Sequence, residues 1–272
     1  MNQASSSTFV ANDASGYERL MGRWSRRLAE PFLDFVGTAP GERVLDVGCG
    51  TGALAEALLQ REPVQALHGV DLAPPYVAAA GERVRAPGVA FHVGDACALD
   101  FADHHFDRVF CLLVLHFVPK AELALAEMRR VARPGATVGA AVWDARGGFV
   151  ANRVFWDTAA ALDPQGAGER RARNYTRPMT RPGDLGRAWR AAGFEDVVET
   201  SLAMRMDYAS FDDYWSSFSG TEGPHAEYVD TLDENGRARL CDALRRAYLD
   251  GEADGPRSYA ALAWAVKGTA PR

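Results

Sequence analysis

Residues 44–52, Val-Leu-Asp-Val-Gly-Cys-Gly-Thr-Gly, constrain this chain more than any other stretch. Val44, Leu45 and Val47 form a short apolar run suited to a buried parallel strand. Gly48, Gly50 and Gly52 follow, where the backbone must turn sharply and approach a ligand too closely for a Cβ. Ala53 to Leu59 is a strong helix former, and the free N–H groups of its first turn point back at the glycines. Strand, glycine loop and helix N-terminus together make a nucleotide pocket of the doubly wound α/β kind.

Gly48-x-Gly50-x-x-Ala53 loosely satisfies the dinucleotide fingerprint, so the loop alone leaves a nicotinamide-dependent oxidoreductase open. Asp46, two residues before the first glycine, would repel a pyrophosphate and attract an ammonium or sulfonium. A second strand, Ala66 to Val70, ends at Asp71, placed to take both hydroxyls of a ribose. A third, Val89 to Val93, ends in Gly94-Asp95-Ala96, where a carboxylate suits an adenine amino group. Three acidic strand ends without a basic phosphate ligand point to a cationic adenosyl cofactor, S-adenosylmethionine. A non-catalytic adenosyl-ligand-binding protein uses the same features and is the other alternative.

Val44–Gly52, Gly69–Leu72, Gly94–Ala96, Phe106–Phe110 and Arg133–Gly135 resemble, in order, the motifs of class I S-adenosylmethionine-dependent methyltransferases. Tyr17 to Ser25 resembles the entrance helix of the branch related to ubiquinone and menaquinone biosynthesis methyltransferases. The resemblance implies a Rossmann-like seven-stranded sheet, mostly parallel, whose last strand inserts antiparallel between strands five and six. It also implies that Asp71 holds the ribose, that Leu72 flanks the adenine, and that Asp95 and the Ala96 N–H meet its ring. Cys111 and Leu112, ending strand four, would lie beside the methionine part of the ligand. Asp46, Gly48, Cys49, Gly50 and Gly52 complete the cofactor-binding set. The motifs leave the acceptor atom, O, N, C or S, and the oligomeric state open.

The remaining composition narrows the partner. A net charge of −6 provides no broad basic surface, so nucleic acid is not expected. No apolar segment is long enough to span a membrane. Cys49, Cys97, Cys111 and Cys241 lack paired metal spacing, and no acidic or histidine cluster has ligand spacing, so no metal is expected. Reduced thiols and the absence of a signal-type start suit a cytoplasmic protein.

Strand–helix alternation continues to about residue 145, within one domain over residues 1–272. Strand four reads from Arg108 to Leu113, a helix from Lys120 to Val131, and strand five from Ala136 to Trp143. Residues 1–15 read as a flexible start. Residues 146–182, a helix from Ala151 to Leu162 and then a polar loop, and the helical stretch 207–257 are expected to be insertions on the substrate side. Between them come a helix from Asp184 to Ala192 and a strand from Val197 to Met206, and Tyr259 to Val266 is the last strand.

Several residues carry two readings. Tyr17, Met21, Trp24 and Leu28 recur at helical spacing, which core packing explains without a ligand. In a methyltransferase entrance helix, Tyr17 and Arg23 would instead reach the cofactor carboxylate or line the substrate entry, and Trp24 is a candidate substrate contact. His116 follows strand four at the carboxyl edge of the sheet, where a neutral imidazole can take a proton from a nucleophile. A structural hydrogen bond is the plainer reading. His225 is a second candidate on the substrate side. Phe211, Tyr214, Trp215 and Phe218 share one helix face, and Trp215 and Phe218, with Trp143, are candidate walls for an apolar small-molecule substrate. Arg170, Arg171, Arg173, Arg177 and Arg181 form a local positive excess, either a solvated loop or a patch for a substrate carboxylate or phosphate.

Overall fold

The β-branched runs separated by amphipathic segments wind into one sheet with helices on both faces. The computed structural model describes residues 6–9 and 11–272. The chain enters through α1 (Ala14–Tyr17), passes a π-helical segment (Glu18–Gly22) and continues into α2 (Arg23–Val36). Then follow β1 (Arg43–Val47), α3 (Ala53–Arg61), β2 (Ala66–Asp71), α4 (Pro74–Arg83), β3 (Val89–Val93) and β4 (Phe106–Leu112). After a 3₁₀ turn (Leu115–Phe117) come α5 (Ala121–Val131), β5 (Ala132–Trp143), α6 (Val150–Leu162), α7 (Gly166–Tyr175), α8 (Asp184–Ala191) and β6 (Glu195–Tyr208). The remainder is α9 (Phe211–Phe218), α10 (Gly223–Val229), α11 (Glu234–Leu249) and β7 (Arg257–Thr269).

The seven strands lie in the order β3-β2-β1-β4-β5-β7-β6. β1 to β5 pair in parallel, and β7 runs antiparallel to both of its neighbours, as expected from the resemblance. The order reverses between β1 and β4, so the connections leave to opposite sides there and open a crevice at the carboxyl ends of the strands. On one face α2 buries Leu28, Phe32 and Leu33, with Phe32 edge-on to Phe110 at 5.7 Å. On the other, Leu125 and Met128 of α5 pack with Trp189 of α8, whose indole N–H donates to the Val138 carbonyl at 3.0 Å. The sheet is therefore apolar on both sides, and polar groups are pushed to its ends.

Two local expectations change. The polar loop expected before residue 182 contains α7. Its helix buries Ala167 and Asn174, and Asp163 holds its start by accepting from the Gly166 and Ala167 N–H groups at 2.8 and 3.1 Å. β5 begins at Ala132 rather than Ala136, with a register shift opposite Phe106–Arg108 that accommodates Pro134.

Much of the start is anchored. Residues 1–5 and 10 of the expected flexible segment lie outside the described residues. The Thr8 N–H donates to the Phe117 carbonyl at 2.8 Å, and Phe9 meets the Phe117 ring edge-on at 5.0 Å. Glu222, buried just before α10, accepts from the Asn12 N–H at 2.8 Å, from the Asp13 N–H, and from the Tyr76 hydroxyl of α4 at 2.9 Å. One carboxylate thus joins the first residues, α4 and the second insertion. Glu222→Ala leaves two backbone donors without a partner, so hydrogen exchange over residues 11–20 should accelerate by roughly tenfold or more. Unchanged exchange would show that the segment is held by other contacts.

Candidate functional site

The site begins where β1 ends. Gly48 turns with φ at +76°, and an added Cβ there would collide with the Val114 side chain. Gly50 also lies in the left-handed region, at φ +53°, beside the Tyr17 ring. The Gly48 and Cys49 N–H groups donate to the Val70 carbonyl at 2.7 and 3.0 Å. The Gly50 N–H donates to Oδ2 of Asp71 at 2.9 Å, while Oδ1 accepts from the Ala73 N–H at 3.0 Å. Burial raises the Asp71 carboxyl above its ordinary range, and these backbone donors pull it the other way. At the end of β3, Asp95 accepts from the Cys97 N–H at 2.8 Å.

A cavity of about 270 Å³ opens from this edge. It brings together Tyr17, Gly48, Gly50, Asp71, Leu72 and Asp95. It then continues past Ala96 and Leu112 to His116, Trp143 and Phe218. Tyr17 closes the near wall, its ring 4.9 Å from Tyr76 and its hydroxyl 3.2 Å from the Ser25 hydroxyl. Burial pushes the Tyr17 phenol up to about 12.

Other expected site residues lie elsewhere. The Arg23 guanidinium turns away from the cavity to Asp213 at 3.0 Å and Ser217 at 3.2 Å, stacked over the Trp24 and Tyr208 rings. It ties α2 to the second insertion, because Asp213 supplies the opposite charge. Trp24 is spent in the core against Tyr208, at 5.3 Å, and Trp215 lies outside the cavity wall. Cys49, Gly52 and Cys111 stand behind the lining, and the burial of both cysteines raises their thiols. Asp46 also lies behind it, 2% exposed, with neither carboxylate oxygen hydrogen-bonded. Burial, and next the charge of Asp71, pushes its carboxyl up to about 8.

The far wall holds residues that the periodicity did not single out. Phe149, Asn152 and Asn174 line it beside His116, Arg177 and His225. A buried asparagine on an apolar helix face, as in Val150-Ala151-Asn152, was the only local signal. The His225 Nε2 lies 2.7 Å from Oδ1 of Asn152, and the Nδ1 atoms of His116 and His225 have no partner. Burial, and secondarily Arg177, lowers both imidazoles to about 3. Leu113, between β4 and His116, sits at φ +64°. This costly left-handed turn swings the chain across the crevice.

Residues 45–139 match the methyltransferase domain family. The chain is 40% identical over 116 residues to a demethylmenaquinone methyltransferase of Renibacterium salmoninarum, covering 42% of this chain and 44% of that one. It is 28% identical over 262 residues to a nocamycin O-methyltransferase of Saccharothrix syringae, covering 90% and 89%. Among solved structures, phosphoethanolamine N-methyltransferase 2 of Haemonchus contortus, in complex with phosphomonomethylethanolamine and S-adenosylhomocysteine, superposes with a TM-score of 0.59. That likeness is at 17% identity and covers 95% of this chain and 57% of that one, and it concerns the fold. The chain is similar to S-adenosylmethionine-dependent methyltransferases over residues 45–139 and shares their fold beyond them. The chain spans half or less of the length of the first curated relatives it matches.

The cofactor of this family fits the residues present. Asp71 and Asp95 face the cavity at the two strand ends, Gly48 and Gly50 line it without a side chain, and the Asp46 carboxyl buried behind them has no protein donor. An uncharged or anionic ligand would gain little from this acidic rim. A sulfonium- and ammonium-bearing one is favoured.

Asp71→Ala should weaken S-adenosylhomocysteine binding by about 2 kcal/mol, and Gly50→Val by more. Calorimetric titration checks both, and unchanged affinity in the two variants would contradict this placement. A second expectation concerns stability. The folded protein keeps Asp46 protonated up to about 8, whereas the unfolded chain loses that proton near 3.8, so stability falls as pH rises between these values. His116 and His225 act oppositely: neutral when folded and protonated below 6.5 when unfolded, they lose stability as pH falls toward 3. Above pH 6.5 the histidine effect is gone and the Asp46 effect remains. Urea unfolding at pH 6, 7 and 8 should therefore show a decline in the wild type that Asp46→Asn flattens. Parallel slopes would mean that Asp46 is ionised throughout.

Proposed function

We propose that the protein transfers a methyl group from S-adenosylmethionine to a small, partly apolar or aromatic metabolite. One observation carries the reading: a single cavity joins the acidic strand ends of β2 and β3 to a cap of aromatic side chains. Trp143 and Phe149, with ring centroids 5.1 Å apart, and Phe218 supply flat apolar surface at the far end. The net charge of −6 argues against a nucleic-acid substrate. Four free cysteines accord with a reducing compartment such as the cytoplasm.

Bound S-adenosylmethionine supplies an activated methyl group on a sulfonium, a good leaving group. The protein's share is alignment and exclusion of water, with no covalent nucleophile required. Asp71 and Asp95 hold the adenosyl end, while Tyr17, Leu20 and Met21 roof the cavity from the entrance helix. Phe9 and Phe117 close the gap between the start of the chain and the 3₁₀ turn. Incubation with methyl-labelled donor and a fractionated metabolite extract tests the reading. Label should enter apolar compounds of low molecular weight, and label confined to macromolecules would overturn it.

His116 lines the cavity, but its surroundings suit a hydrogen-bond partner better than a base. An imidazole lowered to about 3 by burial is uncharged at neutral pH and takes up a proton poorly. It orients an acceptor hydroxyl or amine through a ring nitrogen. His116→Gln, which keeps a polar atom of similar reach, should retain turnover within roughly tenfold, and the kcat–pH profile should show no His116 limb between pH 5 and 8. A loss of about 10²-fold with removal of an acid limb would make His116 the general base.

A further inference from the structure

One part of the cavity wall is built differently from its aromatic walls. Four elements converge there: α6 brings Asn152, α7 brings Asn174, the residues after α7 bring Arg177, and the turn after β4 brings His116. Asn152 is 2% exposed and Asn174 8%, and the amide nitrogens of both lack an acceptor. Oδ1 of Asn174 accepts from Nε of Arg177 at 3.3 Å, which leaves its NH₂ group free. The Arg177 guanidinium lies over the Phe117 ring at 4.4 Å and reaches the Thr8 hydroxyl at 3.4 Å. Among the described residues no carboxylate stands within 4 Å of it, although the neighbouring arginines of α6 and α7, Arg153 and Arg171, are both paired to Asp157. A largely buried guanidinium without a counter-ion is costly, as is each buried amide nitrogen without an acceptor. Glu227 acts on the guanidinium from a longer range, but no carboxylate of the described residues contacts it, so a ligand acceptor with negative charge would complete these three donors.

We infer that Arg177, Asn152 and Asn174 form a subsite for a carboxylate carried by an otherwise apolar small molecule, whose body lies against Trp143, Phe149 and Phe218. The guanidinium fork matches two carboxylate oxygens, and the two amides meet their remaining lone pairs. Burial draws the Arg177 proton affinity down, a cost that an arriving carboxylate offsets. Of the five arginines in residues 170–181, Arg177 alone lines this cavity. Arg171 serves Asp157 and Arg170 covers the Tyr228 ring, so most of that positive excess is structural.

This subsite rests on the methyltransferase reading, yet its test is separable from that reading. The probes are 3-phenylpropanoate, 4-phenylbutanoate and indole-3-acetate, each beside its primary amide, titrated calorimetrically with and without S-adenosylhomocysteine. At least one acid should bind with a Kd below about 1 mM, and its amide at least about tenfold more weakly. Arg177→Met should erase the difference between acid and amide while leaving S-adenosylhomocysteine affinity unchanged. Arg177→Lys should keep part of it, and Asn174→Leu, which removes one donor and the oxygen that holds the Arg177 Nε–H, should reduce it. Equal binding of acids and amides, no acid binding at all, or a preference that survives in Arg177→Met would overturn the subsite. Failure of the wild type to bind S-adenosylhomocysteine would count against the methyltransferase reading instead, and the acid titration without it still decides the subsite.

Discussion

Asp71 makes the glycine loop and the end of β2 a single piece. Its two oxygens accept from the Gly50 and Ala73 N–H groups, so one carboxylate fixes both the loop that must stay free of side chains and the start of the segment leading into α4. Without it, the two left-handed turns at Gly48 and Gly50 would have little reason to persist, because each adds conformational cost with no packing gain of its own. Tyr17 packs beside the same loop, its ring next to Gly50. Everything else at this end of the cavity is laid against that loop.

The roof depends on two further acids used in the same way. Glu18, in the π-helical segment, accepts from the Thr51 hydroxyl and from Arg83 and Arg26. Burial alone would raise its carboxyl, but the donors from Arg83, Thr51 and Arg26 hold it at about 2. Glu222 gathers two backbone N–H groups and the Tyr76 hydroxyl. A buried carboxylate survives only where its lone pairs are met, so each of these residues locks a moving part to the sheet. The entrance helix is held through Glu18 to α4 and the glycine loop, and the start of the chain through Glu222 to the second insertion. Arg23 belongs with this latching system: its pairing with Asp213 joins α2 to α9. That is why it is unavailable to a ligand.

The sheet and the cofactor edge were legible because both are written locally. A β-branched run, a glycine turn and a carboxylate at each strand end follow one another in the chain, and parallel winding brings the ends to a common edge. The antiparallel placement of β7 came from resemblance, since nothing in Tyr259–Val266 itself dictates its neighbours. α7 was obscured by its arginines, which read as solvated loop until Asp163 and the inward-facing Ala167 supply a cap and a buried face. Arg23 and Trp24 were misplaced for a different reason. Helical spacing fixes which residues share a face, but what covers that face is decided by residues near 208 and 213, almost two hundred positions later. Asn152 offered only the weak signal of an amide on an apolar helix face and Asn174 none, because their significance lies in amide nitrogens that lack a partner.

The cavity is therefore electrostatically two-ended. Its β2–β3 end is lined by carboxylates, and its α6–α7 side offers a guanidinium and two amide donors beside aromatic rings. In a low-dielectric interior such a separation is expensive for the empty protein, because each end lacks the charge that would satisfy it. Burial already answers this at the near end by holding Asp46 protonated, and at the far end by keeping both histidines neutral. The arginine has no such recourse, since a guanidinium does not give up its proton near neutral pH. What remains is a polarity built into the walls, which favours a cation toward the acids and an anion toward Arg177. Two ligands bound head to tail along that axis would each complete the charge that the protein leaves open. The apolar middle would then hold their reacting groups away from water.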